Sequence, residues 1–503
     1  MKSITPRLTF LACATAMTAS LYGTNLRFSV RGNSSEQRLG TSIVAVGDLN
    51  GDKYPDLAVG DPGFAVASSG STFTGSGRVL IISGKNGSTL FTLQGTPAMG
   101  QAFGTSLTAI RADGDTKLDI VVGAPGGNGA VWIYSGANGS LLRTVASPLP
   151  TAGSSFGISL ASAGDHNADG VTDLFVGAPG ATMPDGRVVI ISGATGAVVM
   201  QLGVGVANTG FGTSVASIPD QNSDGRAELV VGSPNFSSGL GRVQILVSSN
   251  GIQLAEYAGI IPGARLGCRV GITDDRNGDG TRDLIAGSGS GGSAFLLSGA
   301  TMNLITDLSL AGAAADLPVV PGGSLDVDGD GDTELLVGYP GALPLGRFSV
   351  IPAPVSPQPA VYNAKVANSG LGSAIAVIPG FGFAVGEPLL AGGAVHVYTT
   401  LRDDDKDGVP NKYDQCIKSI RTATVVFQKV DSRVKNRLND KGCTFADLFA
   451  SLRPSTGWKS HAQFVLKANA LIKKLRTAGL ISKSEATKLK IAVEKCKIGV
   501  KRS

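Results

Sequence analysis

Acidic and amide side chains recur at alternate positions in five short stretches of this chain. In GDLNGDKYPD they are Asp48, Asn50, Asp52 and Asp56, at positions one, three, five and nine of a loop. The same four positions hold Asp165, Asn167, Asp169 and Asp173; Asp220, Asn222, Asp224 and Glu228; Asp275, Asn277, Asp279 and Asp283; and Asp326, Asp328, Asp330 and Glu334. A hard cation such as calcium takes about six to eight oxygen ligands, and alternate carboxylates fold inward around one centre. Position seven would add a backbone carbonyl, from Tyr54, Val171, Arg226, Thr281 and Asp332. Gly170, Gly225, Gly280 and Gly331 at position six allow the sharp turn this needs. An all-oxygen donor set disfavours zinc and copper. The alternative is a set of Asx turns capping strands, in which crowded acids would repel one another with no cation between them. A sixth stretch keeps Asp113, Asp115 and Asp119 but has Arg111 at position one, which predicts a weak or empty site.

These loops need a frame, and the sequence repeats one. The Gly that ends the apolar run after each loop recurs at Gly60, Gly123, Gly177, Gly232, Gly287, Gly338 and Gly386. The spacing, roughly 50 to 60 residues, is that of one four-stranded propeller blade. Runs such as LGTSIVAV, DLAVGDP, GRVLIISG and STLFTLQG are strand-length and bounded by glycine. Seven repeats predict an all-β, seven-bladed propeller. The seventh stops one strand short, and NLRFSVRG at residues 25–32 reads as the missing strand, closing the ring and removing sheet edges.

The FG and GAP landmarks around each acidic loop resemble the FG-GAP repeats of integrin alpha-chain propellers and related bacterial surface proteins, over about residues 25–400. The resemblance implies calcium between the first and second strands of several blades. It also implies partner contacts on the opposite face, where the Gly/Ser/Thr-rich loop from Pro62 to Gly77 is a candidate binding loop. The seventh repeat has no acidic loop and the sixth has no clear FG opening.

After the propeller, DDDKDGVPNKYDQC places Asp403, Asp405, Asp407, the Val409 carbonyl, Asn411 and Asp414 at positions one, three, five, seven, nine and twelve of another calcium loop, with Gly408 at six. It resembles a thrombospondin type 3 repeat, which implies a bridge between Cys416 and Cys443; Cys268 reads as a buried thiol and Cys496 has no obvious partner. The expected domains are a signal peptide at 1–22, the propeller at 23–400, the calcium-loop linker at 401–416 and a basic helical region at 417–503. That last region has 20 Lys and Arg against 5 Asp and Glu. Phe464, Ala468, Leu471, Ile472 and Leu475 share one helical face, ended by Gly479; Ser482 and Glu485 form a capping box opening a second helix with Ala486, Leu489, Ala492, Val493 and Cys496 inward. The basic outer faces are either simply solvated or able to contact an anionic surface polymer or lipid head groups. Nucleic acid fits less well, because aromatic interleaving is lacking.

Composition agrees with short strands and tight turns: 71 glycines, 6% aromatic and 16% charged residues in 503. Lys2 and Arg7 ahead of the apolar run from Leu8 to Met17 predict a signal peptide, hence a secreted or cell-surface protein, and no apolar stretch is long enough for a transmembrane helix. No catalytic constellation emerges. His166 lies inside an acidic loop, His396 in a predicted strand, and His461 is the third and last histidine. GSSFG, Gly153 to Gly157, has the letters of a nucleophile elbow but sits at a blade opening with no helix after it. GSGSGGS from Gly287 lacks a phosphate loop's lysine and helix. The reading is a non-enzymatic, calcium-binding propeller that mediates adhesion or binding to an extracellular or envelope protein or glycan. The alternatives are a polysaccharide-acting propeller enzyme and a passive envelope scaffold.

Overall fold

The computed structural model describes residues 25–34, 37–68, 71–95, 98–149, 153–180, 186–203, 205–206, 208–309, 318–327, 332–342, 345–352, 359–400, 422–437, 443–454 and 458–498. The expected signal peptide and linker loop, with Asp403, Asp405, Asp407, Val409, Asn411 and Asp414, lie outside these residues, as do Asp328 and Asp330. The chain divides into two units, 1–400 and 401–503.

The first unit is a seven-bladed β-propeller of four-stranded antiparallel sheets. Blades 1 to 6 span residues 43–93, 106–146, 159–202, 214–258, 269–307 and 320–363. Blade 7 joins Ile375–Ile378, Gly382–Gly386 and Ala394–Thr399 to the N-terminal strand Asn25–Arg31. First strands of successive blades pack on one another, and that of blade 7 packs on Ile43–Gly47 of blade 1, so the first strands line a closed ring. Second strands such as Asp56–Asp61 and Asp173–Ala178 are buried throughout, which is why they read as unbroken apolar runs. Outermost strands such as Gln253–Ala258 are largely exposed.

Blades meet at a glycine seam. A Cβ added to Gly60, Gly123, Gly177, Gly232, Gly338 or Gly386 would lie 1.9–2.1 Å from the carbonyl oxygen of Gly104, Gly157, Gly212, Gly267, Gly372 or Gly40, respectively. In six blades the GAP glycine therefore presses on the glycine of the FG or LG opening of the next, and Gly386 against Gly40 carries the seam across the closure. The FG glycine needs positive φ, as at Gly104 (+90°), which disfavours any side chain there. The serine of FGTS completes the contact: Ser42, Ser106, Ser159 and Ser214 Oγ donate to the carbonyls of Gly104, Gly157, Gly212 and Gly267 at 2.6–2.9 Å. Phe103, Phe156 and Phe211 are fully buried beside it. Blade 6, which has no FG opening, presents the Val319 carbonyl to Gly287 instead.

The closing strand pairs antiparallel with Ala394–Thr399, with Ser29 opposite His396. His396 Nε2 donates to Glu387 Oε2 at 2.9 Å, and Ser29 Oγ stands 2.8 Å from His396 Nδ1. Ser369 Oγ donates to Glu387 Oε1 at 2.5 Å. Burial pushes the Glu387 carboxyl up, but the hydrogen bonds from His396 and Ser369, with the charges of His396 and Arg31, outweigh it and hold the group below its ordinary value. His396 thus links the closing strand to the Glu387 carboxylate.

The second unit was expected to be helical, and it opens instead with a hairpin, Thr424–Phe427 and Val430–Lys435. Helices follow at Phe445–Ala450, His461–Thr477 and Lys483–Lys495. TVVF is β-branched and aromatic, a strand signal that the neighbouring basic residues obscured. Phe427, Phe449, Phe464, Leu489 and Val493 share its core, and Thr444 with Asp447 and Ser482 with Glu485 form capping boxes.

Two predictions follow from the ring. Gly177→Ala forces a methyl onto a main-chain oxygen that cannot yield without separating blades 3 and 4, and is expected to cost about 4 kcal/mol, at the extreme of single substitutions. Thermal denaturation tests this; an unchanged Tm contradicts the seam. Glu387→Gln is expected to lower Tm at pH 7. A depressed carboxyl stabilises the fold above the unfolded pKa, near 4.5, and loses that contribution as pH falls through the folded value. The gap between variant and parent melts should therefore close as pH falls below that range.

Candidate metal centres

In an antiparallel blade the 1–2 and 3–4 turns lie at one end and the 2–3 and 4–1 connections at the other. The acidic loops are all 1–2 turns, so they share one face of the ring. Each begins on an exposed or half-buried rim and ends on a buried carboxylate that starts or, for Asp283, immediately precedes the second strand: Asp56, Asp119, Asp173, Glu228, Asp283 and Glu334 are 0–1% exposed.

The buried carboxylate gathers both turns of its blade. Asp173 Oδ2 accepts from the His166 and Asn167 amides at 2.8 and 3.0 Å, and Oδ1 accepts from Gly193, in the 3–4 turn, at 3.0 Å. Gly84, Gly136 and Gly299 donate in the same way to Asp56, Asp119 and Asp283. Position one shapes the loop: Asp48 accepts from the amides of Gly51, Asp52 and Lys53. Position five spans the two turns. Asp52, Asp169, Asp224 and Asp279 accept from the amides of Tyr54, Val171, Arg226 and Thr281, and from the hydroxyls of Ser83, Ser192, Ser249 and Ser298. An ionised carboxylate offers about four lone-pair directions, so these amide bonds do not exhaust its oxygens.

Among the described residues, two loops bring three carboxylates together with one oxygen of each within 4.8 Å: Asp275, Asp279 and Asp283, and Asp113, Asp115 and Asp119. Either could hold a metal ion. The second set belongs to the loop expected to be weak, since Arg111 replaces only the first acid and leaves the other three converging. In blade 6, Glu334 Oε2 accepts from the Val327 amide at 2.6 Å, with Asp326 and Asp332 at the loop's ends.

Burial raises the Asp56 carboxyl to about 6, against three amide bonds that lower it, and the nearby Asp52 charge adds to the rise. Burial likewise raises Asp119, Asp173, Glu228 and Asp283, with like charges contributing at each. These loops concentrate negative charge at buried oxygens, the environment a divalent cation relieves.

Several contributors were not read from the sequence. The 3–4 turn glycines are amide donors that a side chain would displace, since a Cβ at Gly193 would lie 1.9 Å from the Thr172 oxygen. Blade 4 has Ser248 at that turn position and the longer Glu228 at position nine, a paired change visible in the repeats. Position seven was expected to contribute only a carbonyl, yet its side chain ties neighbouring blades. Arg226 Nε donates to the His166 carbonyl at 2.8 Å, Lys117 Nζ donates to that of Leu49, and Tyr54 packs edge-on against Phe381 of blade 7.

Of the histidines, His166 is 4% exposed within its loop, and His461 Nδ1 lies 2.8 Å from the Ile498 carbonyl. Ser155, the central serine of GSSFG, is half-buried in the turn that opens a blade, ahead of strand Ser159–Gly164. On the other face, the loop from Pro62 to Gly77 folds into a small hairpin, Val66–Ser68 with Ser71–Phe73. It is anchored by Arg78, which pairs with Asp61 at 3.1 Å and lies over the Phe64 ring at 3.8 Å. Cys268 and Cys496 are free and buried, and Cys443 is disulfide-bonded; its expected partner Cys416 lies outside the described residues.

Comparison with known proteins agrees with this architecture. The FG-GAP repeat family matches residues 40–82 and 211–246, and the FG-GAP-like repeat family matches residues 111–176. Human integrin alpha-IIb is 35% identical over 166 residues, covering 30% of this chain and 16% of the relative. Integrin alpha-3 of Cricetulus griseus is 36% identical over 166 residues, or 30% and 15%. Human integrin alpha-11 is 33% identical over 167 residues, or 30% and 13%. The matched region is thus a small part of each integrin chain.

Proposed function

We propose, from the premise that this chain carries an FG-GAP propeller of the integrin-alpha type, that it is an exported, calcium-binding module. In this reading it binds an extracellular or envelope protein or glycan and does not catalyse a reaction. The observation that carries the reading is the shared face of acidic loops, each built on a buried carboxylate and two of them with three converging oxygens. Calcium would be held by Asp48, Asp52 and Asp56 and their counterparts in the other blades, with Asn50, Asn167, Asn222 and Asn277 adding neutral oxygens. The converging Asp113, Asp115 and Asp119 add the second blade to the set. Bound cations would fasten the 1–2 and 3–4 turns of the blades that carry acidic loops, so that the opposite face is presented rigidly to its partner. That face carries the anchored hairpin at Val66–Phe73.

Asp403, Asp405, Asp407, Asn411 and Asp414 would hold one further ion in the linker, and Cys416 would pair with Cys443. Export fits the charged and apolar N-terminus. No helix among the described residues is long and apolar enough to cross a membrane.

Calcium titration by calorimetry on the mature protein tests the reading, with Asp48→Ala and Asp326→Ala as variants. About seven sites are expected, with one fewer in each variant. Chelation should lower Tm, because a ligand that binds only the folded state stabilises it by mass action. No uptake together with an unchanged melt would reduce the loops to strand caps.

A further inference from the structure

The two long C-terminal helices bury one face each, and their other faces are basic with an aliphatic centre. Helix His461–Thr477 buries Phe464, Ala468, Ile472 and Leu475. Leu466, two residues from both Phe464 and Ala468, must project from the opposite side at 3.6 residues per turn, and it is 74% exposed. Lys467, Lys473 and Lys474 are exposed on the same helix. Helix Lys483–Lys495 repeats the arrangement. It buries Leu489 and Val493, while Ile491 between them is 46% exposed, with Lys488, Lys490 and Lys495 exposed nearby.

The helices are antiparallel neighbours. The His461 ring, at the start of one, reaches the carbonyls of Glu494 and Ile498 at the end of the other. Leu466 and Ile491 therefore stand at similar heights, each within about two turns of that shared end. From His461 to Ile498 there are nine Lys and Arg and two Glu. Glu485 is occupied by Arg437 and by the helix cap at Ser482, which leaves Glu494 as the one acid on the exposed surface.

We propose that this helical pair is a peripheral docking surface for an anionic phospholipid bilayer. The lysine ammonium groups reach lipid phosphates from flexible stems while Leu466 and Ile491 enter the head-group boundary. Charge complementarity selects an anionic partner, and the aliphatic centre selects a bilayer over a soluble polyanion, which would engage the lysines and leave both side chains in water. The inference is independent of the calcium reading, and its test is run in chelator so that no ion bridges protein and lipid.

Full-length protein is sedimented with vesicles of phosphatidylglycerol mixed with phosphatidylcholine, and with phosphatidylcholine alone. Binding to the anionic vesicles only, weakening as salt rises, is expected. Lys488→Gln, Lys490→Gln and Lys495→Gln combined should weaken it by about tenfold or more. Leu466→Asp with Ile491→Asp should do the same; all five positions are exposed, and circular dichroism checks that both variants keep their fold. No partition onto anionic vesicles overturns the proposal. So does undiminished binding of the Leu466/Ile491 variant, which would make the surface a general polyanion binder; heparin competing equally with both proteins would identify it as such.

Discussion

The contact on which the propeller depends is a main-chain carbonyl pressed against a Cα that carries no side chain. Where Gly60 meets the oxygen of Gly104, a Cβ would have to occupy space 2.1 Å from that oxygen, so the blades can approach this closely only at glycine. The Ser42 hydroxyl gives the Gly104 oxygen its hydrogen bond, without which a buried carbonyl would be costly. One short contact thus sets the spacing between blades and satisfies its own polar group. Repeated at five other junctions, that from Gly386 to Gly40 among them, it makes closure a matter of the same geometry as the other glycine-to-glycine junctions.

The acidic loops inherit their positions from this seam. The carboxylate at position nine starts the strand whose GAP glycine, four residues on, lies in the contact. Asp173 and Gly177 are one such pair, Asp56 and Gly60 another. Registering the second strand against the next blade therefore also fixes the depth of the buried carboxylate beneath its loop. The 3–4 turn is brought in by the Gly193 or Gly84 amide. Side chains at position seven then join loops of adjacent blades, Arg226 to the His166 carbonyl and Lys117 to that of Leu49. Change at one loop can reach its neighbour through a single side chain.

Much of this was legible because it repeats. A period of about one blade, alternating acids and glycine-bounded apolar runs each leave a mark in one dimension. Counting strands was enough to assign Asn25–Arg31 to the last blade. What could not be read is contact across blades. FG, GAP and the following serine look like separate landmarks, and their role lies in touching residues about 50 positions away, such as Ser159 and Gly212. The convergence in the second loop was hidden for a similar reason. Arg111 breaks the pattern in sequence, whereas the convergence of Asp113, Asp115 and Asp119 depends on the three-dimensional turn. Ser248 with Glu228 was visible as a departure, but its sense, a longer acid where the turn lacks glycine, required the Asp173–Gly193 bond for comparison.

Charge is divided unevenly between the two parts of the chain. Residues 417–503 carry an excess of 15 positive charges within a total of +5, leaving about −10 for the rest, most of it concentrated in the acidic loops. Buried carboxylates such as Asp56 cannot disperse that charge into solvent, and burial with like-charged neighbours raises them. A divalent ion in each loop would remove most of the excess where it is most costly, which is a stronger reason to fill the loops than any single ligand distance. The basic unit has no such internal remedy. Its cations lie on the surface, and its one exposed acid between His461 and Ile498 is Glu494. Its charge is open to an anionic partner at the surface, whereas the propeller's charge calls for ions within it.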